Sequence, residues 1–401
     1  MKKRVFACIL CFFACFFALL FAVDGVCAAG EEKTDEQIKK ELTDAYDKAI
    51  DSLDLKALQD FLNSLSQEGS QAISMSDIRS ALKALARGEG QAFFDVFFNL
   101  LAKSAGRYFL GFMPGFVTIL IICLLKNILS GLTGDFLNKS TTEVVNIVCY
   151  CATVIVLMSG VATVIETVTN TVNALVSLSN ALFPVLLTLL SALGASASAA
   201  GYSPLMAVLC GFIMKLITAV VLPAFVACIV FGIVGNVSKN VKLDKLAKLV
   251  KSAAGWLVGI TFGIFATFLT MQGISGGVID RFGFNIAKFA VSSYVPILGG
   301  YLSDGFDLMS ASLVLVKNAV GYTGAVLLCA TVAFPLVKVV MFSLAAKLTG
   351  AIAEPIGDDR VSKLLYGVSK NLNLLITALA GVAFLFFLTL MLLISSCNMG
   401  L

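Results

Sequence analysis

Four lysines stand where an ammonium group is costly. Lys126, Lys215, Lys317 and Lys338 lie within, or late in, long apolar runs. A charge at membrane depth must pair with a partner, reach the headgroups along its own flexible stem, or face a water-filled path. Lys317 is followed by Asn318, so an amide accompanies the charge. Asp304 and Asp307 come shortly before Lys317 and read either as its ion-pair partners or as the solvated end of a loop. Such groups suit ion or proton conduction, or ion pairs that hold helices together. They do not suit catalysis. The chain has no histidine, which removes imidazole acid/base chemistry, imidazole metal ligation and Ser-His or Cys-His nucleophiles. It has no GxxxxGK[ST] loop, no GxGxxG fingerprint and, outside the signal segment, no CxxC pair, so nothing points to a nucleotide, a metal or another cofactor. The formal charge of +4 is mild, and no nucleic-acid surface is expected. The reading is a non-enzyme.

The elements that carry these lysines are set by composition. The 401 residues are 59% hydrophobic and 13% charged, with a mean hydropathy of +0.95. Soluble domains run at roughly 45–50% apolar and about 25% charged residues. The chain therefore reads as an all-α polytopic membrane protein, a helical bundle solvated by the lipid bilayer.

Residues 1–28 read as a signal peptide. Lys2, Lys3 and Arg4 precede an apolar run from Val5 to Val23, and Val26-Cys27-Ala28 supplies small residues for cleavage. The run is long, so an uncleaved anchor helix is the alternative. Either way the chain after Gly30 starts outside the cytoplasm. Residues 31–107 carry 14 acids and 10 bases and read as a small outward helical domain. At its end, Phe93, Phe94, Phe97, Phe98 and Leu101 form an apolar stripe suited to lying along the membrane surface. The eleven cysteines cluster in the signal region and the apolar runs, as small buried hydrophobes would.

Residues 108–165 read as the first two transmembrane helices. Beyond them the sequence repeats. Pro184 and Pro296 sit in similar apolar segments 112 residues apart, and Pro223 and Pro335 show the same offset. The order of elements matches around both pairs, which marks 170–275 and 282–397 as two membrane repeats. The 236–251 loop carries Lys239, Lys242, Lys245, Lys248 and Lys251 against Asp244, so it is expected in the cytoplasm. Two layouts fit. In one, 174–194 and 289–302 are re-entrant and six helices span. In the other, helices break at Pro223 and Pro335 and ten segments cross. The first is preferred, because 289–302 is shorter than the roughly 20 residues a span needs. Both make the repeats parallel. Interrupted helices lie where transport sites form, so the four prolines and Lys215, Lys317, Asn318 and Lys338 are the candidate pathway. Gly255, Gly259 and Gly263 line one helix face and are expected at a helix–helix contact. Glu166 to Asn180 is rich in Thr, Asn and Ser and reads as an interfacial loop.

The stretch Ser310–Gly321, centred on Lys317 and Asn318, resembles a motif of the stage III sporulation protein AE family. So do Ala333-Phe334-Pro335-Leu336-Val337-Lys338-Val339, Glu354-Pro355-Ile356-Gly357, Val295-Pro296-Ile297-Leu298-Gly299 and the basic Lys242–Val250 loop. The resemblance covers most of 108–397. It implies a multi-pass protein of the mother-cell membrane around the engulfed forespore of an endospore-forming bacterium. It further implies a component of the multi-protein channel complex between the two cells, needed for forespore development. Other membrane and extracytoplasmic sporulation channel proteins would be partners in an oligomeric complex, with a YidC/Oxa1-type insertase a further one. The family brings no catalytic residues to carry over. Two other readings remain open on residues alone: a stand-alone small-solute or ion permease, and a membrane scaffold that recruits ring-forming partners.

Overall fold

In hydrocarbon a backbone N–H or C=O finds no water, so an apolar chain closes its hydrogen bonds within helices. The computed structural model of this protein follows that rule. It describes residues 90–136, 139–237, 243–294, 299–356 and 358–396, and among these there is no strand. The signal segment 1–28, most of the 31–107 domain and the Pro296 segment at 295–298 lie outside the described residues.

Among the described residues, the helices in chain order are α1 (Gly90–Phe136), α2 (Lys139–Ala192), α3 (Ser196–Leu216), α4 (Leu222–Val237), α5 (Asp244–Tyr294), α6 (Gly299–Ala353) and α7 (Asp359–Ser395). A π-helical segment, Ile217–Val221, joins α3 and α4. Six stretches are long and apolar enough to cross a membrane: 97–129, 143–192, 196–236, 245–273, 316–353 and 359–395. The protein is an all-α polytopic membrane protein.

The prolines behave differently from their expected role as breaks. Pro184 lies inside α2 and Pro335 inside α6. Each removes one backbone hydrogen bond, but buried apolar side chains flank both and keep the rod packed. Around Pro184 these are Leu182, Phe183 and Leu186; around Pro335 they are Val332, Leu336 and Val339. At Pro223 the helix widens. The N–H of Leu222 reaches back to Ile217 O, the i→i+5 spacing of a π turn. The chain does not reverse at Pro223 or Pro335, so the ten-segment layout fails. Nor is 174–194 a separate re-entrant segment, since it completes α2. The polar 166–180 stretch is helix interior, not a loop, because its buried face (Val168, Val172, Leu175, Leu178) packs on the bundle. Residues 91–107 open α1 and run straight into its span. There Phe97 meets Phe334 of α6 at a centroid distance of 6.2 Å. The expected boundaries, 165/170 and 275/282, fall inside α2 and α5, so the first repeat would begin mid-helix and the two copies would share α5.

Short connections make neighbours antiparallel. After α2 the chain turns at residues 193–195. Gly194 adopts φ 82°, and Ala195 N–H reaches Leu190 O at 3.1 Å, a glycine-terminated helix end. Tyr150 Oη donates to Ile233 O at 3.1 Å, and Cys228 Sγ to Ala247 O at 3.4 Å. With the ties from Lys126 and Asn127 of α1 to the α6–α7 connection, these contacts gather the α1–α2, α4–α5 and α6–α7 connections at one end of the bundle.

The α6–α7 hairpin forms the centre. Gly321 backs onto Ile394, and Ser343 Oγ lies 2.8 Å from Ser369 Oγ. At the junction of α1, α2 and α6, the Phe342 ring sits 5.0 Å from Phe112 and 5.3 Å from Phe116. A Cβ on Gly160 would lie 2.6 Å from the same ring. The outer helices turn apolar faces outward: Leu110 and Ile128 on α1, Val148 and Ile155 on α2, Ile264 and Met271 on α5, and Trp256 at 71% exposure. Lipid, not water, is the solvent these faces fit.

The packing predicts a contrast between two glycines. Gly160→Leu has no room, because Phe342 is held on its other side by two rings. It should cost about 1–3 kcal/mol, seen as a lower unfolding midpoint of the detergent-solubilised chain. Gly259→Leu should leave that midpoint unchanged, since nothing lies within 4 Å of its added Cβ.

Candidate functional site

A polar clamp joins the first helix to the last hairpin. Asp358 ends the α6–α7 connection and caps α7, accepting from Val361 N–H at 3.3 Å. Its carboxylate also meets Lys126 Nζ of α1 at 2.8 Å, with side-chain exposures of 16% for the lysine and 4% for the aspartate. The next residue, Asn127, donates from Nδ2 to Ile356 O at 2.8 Å. The aspartate gains twice, as an anion at the positive end of a helix and as half of an ion pair. A second tie lies further along the bundle. Lys251 of α5 donates to Lys370 O and, at 3.3 Å, to Asn371 Oδ1 of α7.

At the opposite end of the hairpin, Lys317 is fully buried. Its Nζ donates to Ser396 O, just beyond the C-terminus of α7. That carbonyl lies at the negative end of the helix dipole, where a cation is favoured. Asn318 is half-buried beside it. Asp304 and Asp307 are part of α6 rather than a loop, and their side chains lie outside the described residues.

The remaining candidates do not converge. Lys338 is half-buried on α6, three residues after Pro335. Lys215 is exposed on α3, two residues before the π segment. Pro184 faces outward on α2. Gly255, Gly259 and Gly263 also face outward, because Ala254, Val258 and Leu269 are the side of α5 that packs inward. The helix contacts within the chain use other glycines: Gly381 against Phe262, and Gly324 against Leu182, where an added Cβ would lie 2.8 Å away. Among the described residues, no group of three or more acidic or cysteine side chains could hold a metal ion. What the arrangement does chemically is lock helices together through charge and carbonyl contacts. Asp358 as the partner of Lys126 escapes sequence reasoning, though its place before a helical run is an N-cap signal.

Comparison with known proteins gives a family. The family model described as stage III sporulation protein AE matches residues 76–397. Stage III sporulation protein AE of Bacillus subtilis (strain 168) is 29% identical over 282 residues, which is 70% of this chain and 71% of that protein. No solved structure matches the chain.

The clamp is testable by a double-mutant cycle. Lys126→Met strands a buried carboxylate. For fully buried pairs this costs about 3–5 kcal/mol, and with part of Lys126 in solvent the expected loss is on the order of 2 kcal/mol. Adding Asp358→Asn should recover part of it, since the amide keeps the cap without the charge. Unfolding midpoints of the four proteins in detergent measure the coupling. Additive losses would mean the pair does not interact.

Proposed function

The chain belongs to the stage III sporulation protein AE family, and from that membership we propose the specific part it plays in sporulation. It is a membrane component of the channel or export complex that links the mother cell to the forespore. It sits in the mother-cell membrane around the forespore, and its partners are the other membrane and extracytoplasmic proteins of that complex. Its role is non-enzymatic.

One observation carries the reading beyond the family: three of the charged side chains in and beside the spans hold helices to one another. Lys126 is committed to Asp358, Lys251 to α7 and Lys317 to the α7 terminus. The interior between α6 and α7 is filled by apolar side chains such as Leu375, Leu379 and Phe386. A rigid, outward-apolar bundle is suited to assembly with neighbours in a membrane. The stand-alone permease reading loses its best-placed charge, because Lys317 is engaged with Ser396. Orientation follows from the lysines. Five of them in 236–251, at the same end as Arg360 and Lys363, favour that end in the mother-cell cytoplasm. The N-terminal region then faces the space between the two membranes.

Deletion of this chain in its own endospore-forming host tests the proposal. Engulfment should finish normally, while late forespore reporter expression and heat-resistant spore counts fall by orders of magnitude. Replacing the chain should restore both. A deletion strain with full spore counts and normal forespore expression would overturn the assignment.

A further inference from the structure

Two outward faces on adjacent helices cannot be satisfied by lipid. On α2, the exposed positions Thr163, Glu166, Asn173, Ser177 and Asn180 form one polar seam. The threonine returns its hydroxyl to its own helix, Thr163 to Ser159 O at 3.2 Å. Glu166 has no such outlet. On α3 and the π segment that follows it, the exposed positions Ala207, Gly211, Lys215 and Thr218 form a seam of small residues with one base. Nothing lies within 4 Å of a Cβ added to Gly211.

Both charges lie near the middle of their long apolar helices. Lys215 is the twentieth of the 41 residues in the 196–236 span, and Glu166 the twenty-fourth of 50 in 143–192. The contact of Tyr150 with Ile233 O sets their relative height. Glu166 lies 16 residues along α2 from Tyr150, and Lys215 lies 18 residues back along the chain from Ile233. At about 1.5 Å per residue, the charges stand within a few Å of one depth. Counted from the 193–195 turn instead, they stand within about two helical turns of each other. Neither has an ion-pair partner of its own chain among the described residues.

We infer that the occupant of this face is a second copy of the same chain, with Glu166 of one copy paired to Lys215 of the next. Charge complementarity selects the partner: the chain carries both halves of the pair, within about two helical turns of one height, on neighbouring outward faces. The small residues around Lys215 let a helix approach closely, and the α2 seam supplies amides and hydroxyls for bonds across the contact. The pairing removes two uncompensated charges from lipid, which is the largest cost either face carries. The inference rests on the proposed role only in that both place the chain in an assembly.

The test uses the full-length chain, co-expressed with two different tags and extracted in mild detergent. Wild-type copies should co-purify. Glu166→Lys and Lys215→Glu should each lower recovery of the second tag by about tenfold or more. The chain carrying both reversals should recover it. Should the reversals impair folding, Glu166→Cys on one copy and Lys215→Cys on the other, in a background without native cysteines, should form an interchain disulfide in membranes. Copies that never co-purify, reversals without effect, or cysteine-bearing copies that form no interchain disulfide would overturn the inference. Capture of a different membrane protein at this face, with no second copy, would also overturn it. Spore counts of the same strains separate the two proposals. Self-association in a chain whose deletion leaves sporulation intact would sink the functional assignment and leave the pairing standing.

Discussion

A peptide group in hydrocarbon has no water to fall back on, and this chain is organised around that fact. Its backbone closes into helices that, among the described residues, tolerate four internal prolines (Pro114, Pro184, Pro204 and Pro335) and one π widening rather than exposing unpaired amides. The lost bonds at Pro184 and Pro335 stay local because apolar side chains on the same helices remain packed across them. Where the ring at Pro223 would strain the preceding turn, the helix adds a residue to that turn instead of breaking. The result is a set of rods longer than a bilayer is thick. α2 alone, at 54 residues, would extend about 80 Å at 1.5 Å per residue, against a hydrocarbon core of about 30 Å.

Within that constraint, polar groups serve as fasteners. Lys126 with Asp358 draws α1 onto the last hairpin. Lys251 does the same for α5 and α7, and Lys317 closes the far end of α7. Each uses a cation against a carboxylate, a side-chain carbonyl or a helix terminus, the partners that make a partly buried ammonium tolerable. Their positions at both ends of the α6–α7 hairpin explain why that hairpin is the most enclosed part of the bundle.

Much of this architecture is legible in the residues. Long apolar runs announce helices and membrane class, and six stretches carry enough of them. What the runs cannot show is which face of a helix looks inward. The Gly255, Gly259 and Gly263 ribbon has the spacing of a packing surface, yet Ala254, Val258 and Leu269 win the interior because they bring more apolar area to it. Proline effects are equally hidden, since a break depends on the packing of the flanking turns and not on the ring alone. Partners far apart in sequence are the last limit. Lys126 and Asp358 meet only once the hairpin has folded back beside α1, and no local pattern encodes that meeting. Lys317 was visible as an unusual charge, but its tie to the end of α7 was not.

The central claim is that α3–α4 and α6 enter the membrane from the same side and return to the same basic end. Side-specific labelling of single cysteines tests it most directly, in membranes carrying the full chain stripped of native cysteines. Cysteines at Leu243 and Glu354 should react with an impermeant thiol reagent only from the cytoplasmic side, and one at Gly194 only from the opposite side. Leu243 and Glu354 labelling from opposite faces would contradict the account.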